Sequence, residues 1–174
     1  MKTKIAIVAG GLITICIIMV AVSGMNFRPR TGYILITKVY SDFEMKKELE
    51  KKFTATRNQR EKMLDTLAIQ LRLLANELDA SKTRDEKKIA SYNYKREEYL
   101  QKRKTFDEDN TALSAQYDKE ILAQLNQYVR DFGAKNNYEY IFGNDGNGSL
   151  MYAQESNDLT RQVTEYINQK YAGK

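Results

Sequence analysis

Residues 64–78, LDTLAIQLRLLANEL, contain the clearest structural signal of the chain. Five leucines of this stretch follow one another at alternating intervals of three and four residues: Leu64, Leu67, Leu71, Leu74 and Leu78. This spacing places them in one stripe along an α-helix, as in the seam of a coiled coil. From residue 41 to residue 132 the chain contains neither proline nor glycine, so no helix breaker interrupts this span. The sequence therefore predicts long helical structure.

A polar break and a second repeat follow this leucine stripe. Residues 79–85 lose the apolar pattern, so we predict a turn near residues 79–86. Beyond it, apolar and aromatic residues recur every seven positions: Tyr92, Tyr99, Phe106 and Leu113. The seam positions expected between them hold mainly polar residues: Arg96, Arg103, Asn110 and Tyr117. The pattern predicts an antiparallel helical hairpin over residues 40–133 whose second helix has a half-polar seam.

Short β-type segments flank the helical hairpin. Residues 33–39, YILITKV, are rich in β-branched and aromatic residues and predict a strand, preceded by a linker at residues 26–32. Two further β-type segments around a glycine-rich turn predict a β-hairpin over residues 138–153. An apolar face over residues 156–171 predicts a C-terminal helix. The predicted fold class is α+β and helix-dominated, with residues 33–174 forming a small β-body and a long coiled-coil hairpin.

The composition excludes most catalytic chemistry. The chain has no histidine and one cysteine, Cys16, which excludes imidazole bases, disulfides within the chain and cysteine-based zinc sites. The loop that begins at Asp145 has Leu150 and Ser156 where a calcium loop requires glycine and glutamate. The 28 basic and 23 acidic residues are interleaved along the chain, which is typical of solvated helix faces. We therefore predict a binding or assembly protein that is not an enzyme and uses no cofactor or metal.

The N-terminus has the composition of an export segment. Two lysines precede a stretch without charge over residues 5–25, which includes Ile5, Leu12, Cys16 and Val22. A helix of residues 5–22 would be roughly 27 Å long, close to the thickness of a bilayer core. Residues 1–25 are therefore either a signal peptide cleaved near residue 23 or an uncleaved anchor in the inner membrane. Both alternatives place the rest of the chain outside the cytoplasmic membrane.

The order of these segments resembles the OmpH/Skp family of periplasmic chaperones for outer-membrane proteins. The matching stretches are GYILI (32–36) and VYSDF (39–43) before the hairpin, and NYEYIF (137–142) and DLTRQV (158–163) after it. The resemblance implies a homotrimer in which three sets of strands form one β-body and three helical hairpins surround a cavity. It also implies that unfolded outer-membrane proteins are held in this cavity without ATP, in the periplasm.

Two sets of candidate functional residues follow. Those expected in the trimer core are Ile34, Ile36, Tyr140, Phe142, Leu150 and Tyr152. Those expected to contact an unfolded client are Tyr92, Tyr94, Arg96, Tyr99, Arg103 and Phe106. They combine amphipathic rings with cationic groups. The alternative function is a membrane-anchored coiled-coil scaffold of the cell envelope. Nucleic acid is not an expected partner, since acids nearly balance bases and the segment is exported.

Overall fold

The computed structural model describes residues 29–81 and 85–173. Its elements in chain order are β1 (Thr31–Leu35), α1 (Ile36–Asp42), α2 (Glu44–Ala80), α3 (Glu86–Lys135), β2 (Tyr140–Asn144), a 3₁₀ turn (Glu155–Asn157) and α4 (Thr160–Tyr171). We call the paired helices α2 and α3 the arm, and the remaining elements, with the roots of these two helices, the body. The predicted helix-dominated α+β class with a long helical hairpin is confirmed.

The arm consists of two long antiparallel helices. α2 has 37 residues and α3 has 50, which at about 1.5 Å per residue gives lengths of roughly 55 and 75 Å. Asp85 caps α3, because its carboxylate accepts hydrogen bonds from the backbone N–H groups two and three residues later at 3.0 and 3.2 Å. α2 ends at Ala80 and α3 begins at Glu86, in agreement with the turn predicted near residues 79–86. Residues 82–84 lie outside the described part of the chain.

The body is built around an apolar core where the arm meets α1 and α4. Fully buried side chains come from each of these elements: Val39, Phe43, Ile121, Val163 and Ile167. Phe43 makes edge-to-face contacts with two tyrosine rings, whose centroids lie 6.2 Å (Tyr128) and 5.8 Å (Tyr171) from its own. Both arm helices are rooted in this core, α2 through Leu49 and α3 through Ile121.

Strand β1 is shorter than the sequence predicts. The predicted strand over residues 33–39 is wrong beyond Leu35, because the chain turns there into α1. Val39 on α1 and Phe43, the extended residue between α1 and α2, are both fully buried. Packing of these residues against the core overrides the β propensity of the stretch.

The start of β1 is fixed to the end of α3. The predicted linker, residues 26–32, overlaps β1, which begins at Thr31. The Arg30 guanidinium lies 4.2 Å from the centre of the Tyr138 ring and donates to the Tyr138 hydroxyl at 3.0 Å. The Arg30 carbonyl accepts a hydrogen bond from the backbone N–H of Glu139 at 2.9 Å. The chain thus enters the body beside the segment that leads from α3 to β2.

The two strands form a parallel sheet. β1 pairs with β2 in a continuous register that begins with Thr31 opposite Tyr140. The other edge of β1 is covered by the segment before α4, where the Leu159 N–H donates to the Tyr33 carbonyl at 2.8 Å. Within the described ranges, no further strand lies beside the outer edge of β2.

The β-hairpin predicted over residues 138–153 does not form. β2 pairs with β1 instead, and residues 150–153 form no strand in the described chain. The turn between the two segments is present, since the Asp145 carboxylate accepts the backbone N–H of Asn147 at 2.9 Å. β1 lies against the core and offers β2 a full hydrogen-bonding edge, so the long-range pairing prevails over the local one.

The C-terminal helix begins later than the predicted start at residue 156. Residues Glu155–Asn157 form a 3₁₀ turn, and α4 begins at Thr160. Asp158 Oδ1 accepts the backbone N–H of Thr160 at 2.7 Å, and Thr160 Oγ1 accepts the backbone N–H of Leu35 at 3.0 Å. The first turn of α4 is therefore joined to the end of β1.

Candidate functional site

Two phenol–carboxylate hydrogen bonds brace the roots of the arm helices against the body. Tyr40 of α1 donates its hydroxyl to Asp118 Oδ1 of α3 at 2.8 Å. Tyr171 of α4 donates its hydroxyl to Glu48 Oε2 of α2 at 2.6 Å. Burial and the bond to Asp118 raise the pKa of Tyr40 to about 12. The bond to Glu48, with burial, raises the pKa of Tyr171 to about 12, so both phenols remain protonated donors.

The seam between α2 and α3 follows the predicted repeats with one difference. The leucines of the stripe are buried or half-buried: Leu64, Leu67, Leu71, Leu74 and Leu78. The seven-residue repeat of α3 is half-buried: Tyr92, Tyr99, Phe106 and Leu113. In the outer part of the arm, however, Lys95 and Lys102 are half-buried, whereas the predicted seam residues Arg96 and Arg103 are exposed. Lys95 is held by Glu98, whose Oε2 lies 2.8 Å from its Nζ.

The residues predicted to contact a client do not share one environment. Three are half-buried in the seam: Tyr92, Tyr99 and Phe106. The other three are exposed: Tyr94, Arg96 and Arg103. Much of each seam ring is covered by the hairpin itself, whereas the Tyr94 side chain is 70% exposed. Of the predicted rings, Tyr94 is therefore the one most accessible to a ligand.

The arm also exposes a set of apolar side chains that are not among the predicted client contacts. These are Met63, Ile69, Leu73 and Leu100, which are 43–56% exposed. Ile69 and Leu73 lie four residues apart and so occupy one face of α2, outside the leucine stripe. Ile69 and Leu73 could have been recognised from the sequence, because they are apolar residues of the stretch 64–78 that lie outside its seam.

Charge divides α3 into an outer and an inner half. Residues 86–104 contain seven lysines and arginines and three glutamates. Residues 105–135 contain three basic and six acidic residues. The outer half therefore has a net charge of +4 and the inner half −3. A cationic surface of this kind attracts anionic partners over a range set by the ionic strength.

Two of the candidate trimer-core residues belong to the chain's own core. Ile34 is 4% exposed, and Ile36 is half-buried against the same cluster. Ile36 also fills the space beside Gly143, where a Cβ would clash with its Cδ1. These two isoleucines therefore stabilise the single chain.

The remaining candidates form an exposed apolar surface on the body. Tyr140 and Phe142 on β2 are 57% and 49% exposed, and their stacked rings are 6.1 Å apart. Tyr152 is 81% exposed, and Leu150 is half-buried. The neighbouring Met151, 87% exposed, was not predicted. We call these five residues the edge surface; Phe142, Leu150 and Tyr152 line an open cavity of about 380 Å³ together with residues of β1.

The described part of the chain contains neither a cluster of metal ligands nor a membrane-spanning helix. Within residues 29–81 and 85–173, no group of three or more Asp, Glu or Cys side chains is placed to hold a metal ion. No helix in the same ranges is long and apolar enough to cross a membrane. The predicted membrane segment, with Ile5, Leu12, Cys16 and Val22, lies outside the described residues.

The class of this protein is defined by a small body with a two-stranded sheet, from which a long antiparallel helical hairpin projects. Within this class, the chain belongs to the OmpH family, because the sequence profile of "Outer membrane protein (OmpH-like)" matches residues 30–167. The resemblance noted in the sequence is confirmed.

A solved structure has the same fold. The chain is similar to a crystal structure of a candidate outer membrane chaperone (OmpH-like) from Caulobacter crescentus, with a TM-score of 0.71 and 16% sequence identity. The similarity covers 82% of this chain and 86% of that one. Comparison with curated proteins gave no match.

Proposed function

We propose that this protein is an ATP-independent periplasmic holdase that binds unfolded outer-membrane proteins between the arms of a homotrimer. Membership of the OmpH-like family supports a chaperone role. The observation that carries the proposal is the exposure of apolar side chains such as Ile69, Leu73 and Tyr94 on a long projecting arm. Apolar groups separated by charges suit many weak contacts with an unfolded chain.

The edge surface supports assembly into a trimer. A two-stranded sheet is marginally stable by itself, and an open strand edge next to exposed aromatic rings invites pairing. Strands from other copies beside β2 would cover Tyr140, Phe142 and Tyr152, which one chain leaves exposed. Three copies joined in this way would hold three arms around a common space.

The charge distribution of α3 supports different roles for charged and apolar groups along the arm. The outer half, at net +4, would attract acidic segments of an unfolded chain. Arg96 and Arg103 are exposed there, close in sequence to the exposed ring of Tyr94. Long-range attraction would bring the client to the arm, and apolar contacts would retain it.

The described chain begins at the body. This position determines which part of the protein would lie next to the membrane if residues 1–25 were an anchor. Arg30 ties the start of the described chain to the body, at Tyr138 and Glu139, and not to the arm tip. If residues 1–25 remain as an anchor, the body would face the inner membrane and the arms would extend into the periplasm. Intact mass of the native protein distinguishes the alternatives, since a start near residue 24 shows cleavage.

A direct assay tests the chaperone function. An outer-membrane β-barrel diluted from urea should stay soluble with the purified protein in the absence of ATP, as measured by light scattering. The variant Ile69→Ser/Leu73→Ser should suppress aggregation less well, because it removes exposed apolar contacts. The matched control is Gln70→Ser/Asn76→Ser, which alters exposed polar positions of the same helix. If the wild-type protein leaves aggregation unchanged, the holdase proposal fails and the scaffold function is favoured.

Sedimentation velocity tests the assembly separately. A trimer is expected at micromolar concentration. A monomer under these conditions would contradict the shared-strand arrangement, whatever the outcome of the aggregation assay.

A further inference from the structure

The two arm helices are poorly packed between the body and the leucine stripe. A cavity of about 590 Å³, open to solvent, lies between α2 and α3 in this part of the arm. It exists because α3 presents the small side chains of Thr111, Ser114 and Ala115 opposite Phe53 and Leu64 of α2. Side chains that do not meet across a gap lose their dispersion contacts, so apolar packing holds the helices only weakly here.

Arg60 crosses from α2 to α3 at the outer end of this cavity. Its Nη1 donates to Asn110 Oδ1, and its Nη2 lies 3.3 Å from Asp109 Oδ2. Its guanidinium carbon lies 5.6 Å from the centre of the Phe106 ring. The Arg60 side chain is only 21% exposed, so these contacts are partly shielded from water.

Ion pairs that join the two helices are scarce along the arm. In the described part of the chain they are Arg60 with Asp109 and, near the tip, Lys88 with Glu77 at 3.5 Å. The other arm ion pairs join residues three or four apart on one helix. Arg60 therefore makes the ion pair that links the helices across the poorly packed region.

We propose that Arg60 is a positioning residue that acts as a releasable clasp between α2 and α3. While it holds Asp109 and Asn110, the cavity stays narrow and the rings of Phe53 and Phe106 stay half-buried. When these contacts break, the helices separate locally and the two rings become accessible. The body core and the leucine stripe keep their packing during this opening. The proposal does not depend on the chaperone function.

Spin-label distances on the full chain can test the clasp. Once Cys16 is replaced by serine, the chain has no cysteine, so pairs of new cysteines can be introduced and labelled at chosen positions. Labels at Asn58 and Ala112, both exposed, flank the clasp on opposite helices. Labels at Gln70 and Gln101, also exposed, report on the outer arm. Dilution with unlabelled protein removes distances between copies in an oligomer.

Arg60→Gln should shift the distances between labels at residues 58 and 112 to longer values and broaden their distribution, with no change in the outer pair. The matched control is Arg57→Gln, because Arg57 bonds Glu61 on its own helix at 2.9 Å. This control should leave both distributions unchanged. Salt at about 1 M, where the Debye length is about 3 Å, should shift the wild type towards Arg60→Gln.

Three results would overturn the clasp. One is an unchanged distribution at residues 58 and 112 in Arg60→Gln. Another is an equal shift in Arg57→Gln, and the third is an equal shift of the outer pair, which would indicate general loosening of the arm. If Arg60→Gln does not fold, the salt response of the wild type decides, since a clasp requires a shift confined to the inner pair.

Discussion

Replacing Tyr40 by phenylalanine removes one brace of the arm and keeps the aromatic ring. The lost group is the hydroxyl that donates to Asp118 Oδ1 at 2.8 Å and joins α1 to α3. The half-buried ring also packs against the core cluster, and that packing is unchanged by the substitution. Any loss of stability is therefore assigned to the hydrogen bond.

The size of the loss follows from the surroundings of the bond. A hydrogen bond to a charged group contributes about 1.5–3 kcal/mol when it is buried. Asp118 is exposed, so water replaces the phenol once the hydroxyl is removed. We therefore expect Tyr40→Phe to lower the free energy of unfolding by about 1 kcal/mol, which is below that range because of the exposure of Asp118.

Urea unfolding followed by far-UV circular dichroism measures this loss. Protein concentration must be held constant, because the proposed assembly would make stability concentration-dependent. A double-mutant cycle with Asp118→Ala isolates the pair, and its coupling energy should be about 1 kcal/mol. The control Tyr117→Phe removes a hydroxyl next to Asp118 in sequence and should change stability by less than about 0.5 kcal/mol. A coupling energy of zero, or an equal loss in the control, would refute the brace.

Three further predictions follow from burial and protonation. Leu67→Ala should cost about 2–3 kcal/mol in urea unfolding, since Leu67 is 7% exposed, whereas Leu73→Ala, at 56% exposure, should cost less than about 0.5 kcal/mol; equal losses would contradict the seam. If the chain assembles as proposed, Phe142→Lys should lower the assembled fraction in sedimentation velocity, and an unchanged fraction would exclude the edge surface from the interface. In alkali, the pKa values of about 12 at Tyr40 and Tyr171 exceed the value of about 10 in unfolded chains. The contribution of these two tyrosines to the free energy of unfolding should be complete below about pH 10, and it should be lost as the pH rises towards 12. Tyr40→Phe should show a smaller loss over this interval, and an identical loss would contradict the raised pKa of Tyr40.

The helical hairpin could be predicted because its determinants are local. The leucine stripe of residues 64–78 sets the seam of α2, and the absence of proline and glycine lets both helices continue. The polar stretch at residues 79–85 marks the turn without reference to any distant contact. Each of these signals depends on neighbours within two helical turns, which a single sequence displays.

The sheet could not be predicted in the same way. β1 and β2 stand at opposite ends of the arm's sequence, and only the folded core brings Thr31 opposite Tyr140. The local signal around the turn at Asp145 favours a hairpin, because it contains no information about the edge that β1 offers. For the same reason residues 36–39, whose composition is typical of a strand, become helical when the core selects the face of Val39.

The candidate site was predictable in its chemistry and less so in its geometry. The seven-residue repeat identifies Tyr92 and Tyr99 as seam residues, but it does not show how far the partner helix covers them. Lys95 and Arg96 are adjacent cations, and either could occupy the seam. Lys95 is half-buried and paired with Glu98 on its own helix, whereas Arg96 is exposed, and the repeat does not encode this choice.

The parallel pairing of β1 with β2 makes the hairpin an insertion between two hydrogen-bonded strands. The chain leaves the sheet through α1 and α2, reverses at the tip and returns through α3 to the neighbouring strand. Equal heptads could therefore be added to or removed from both helices without altering where either strand meets the sheet. The length of the arm can thus change independently of the body. Insertions and deletions in the two helices could adjust this length to the size of what the arm encloses.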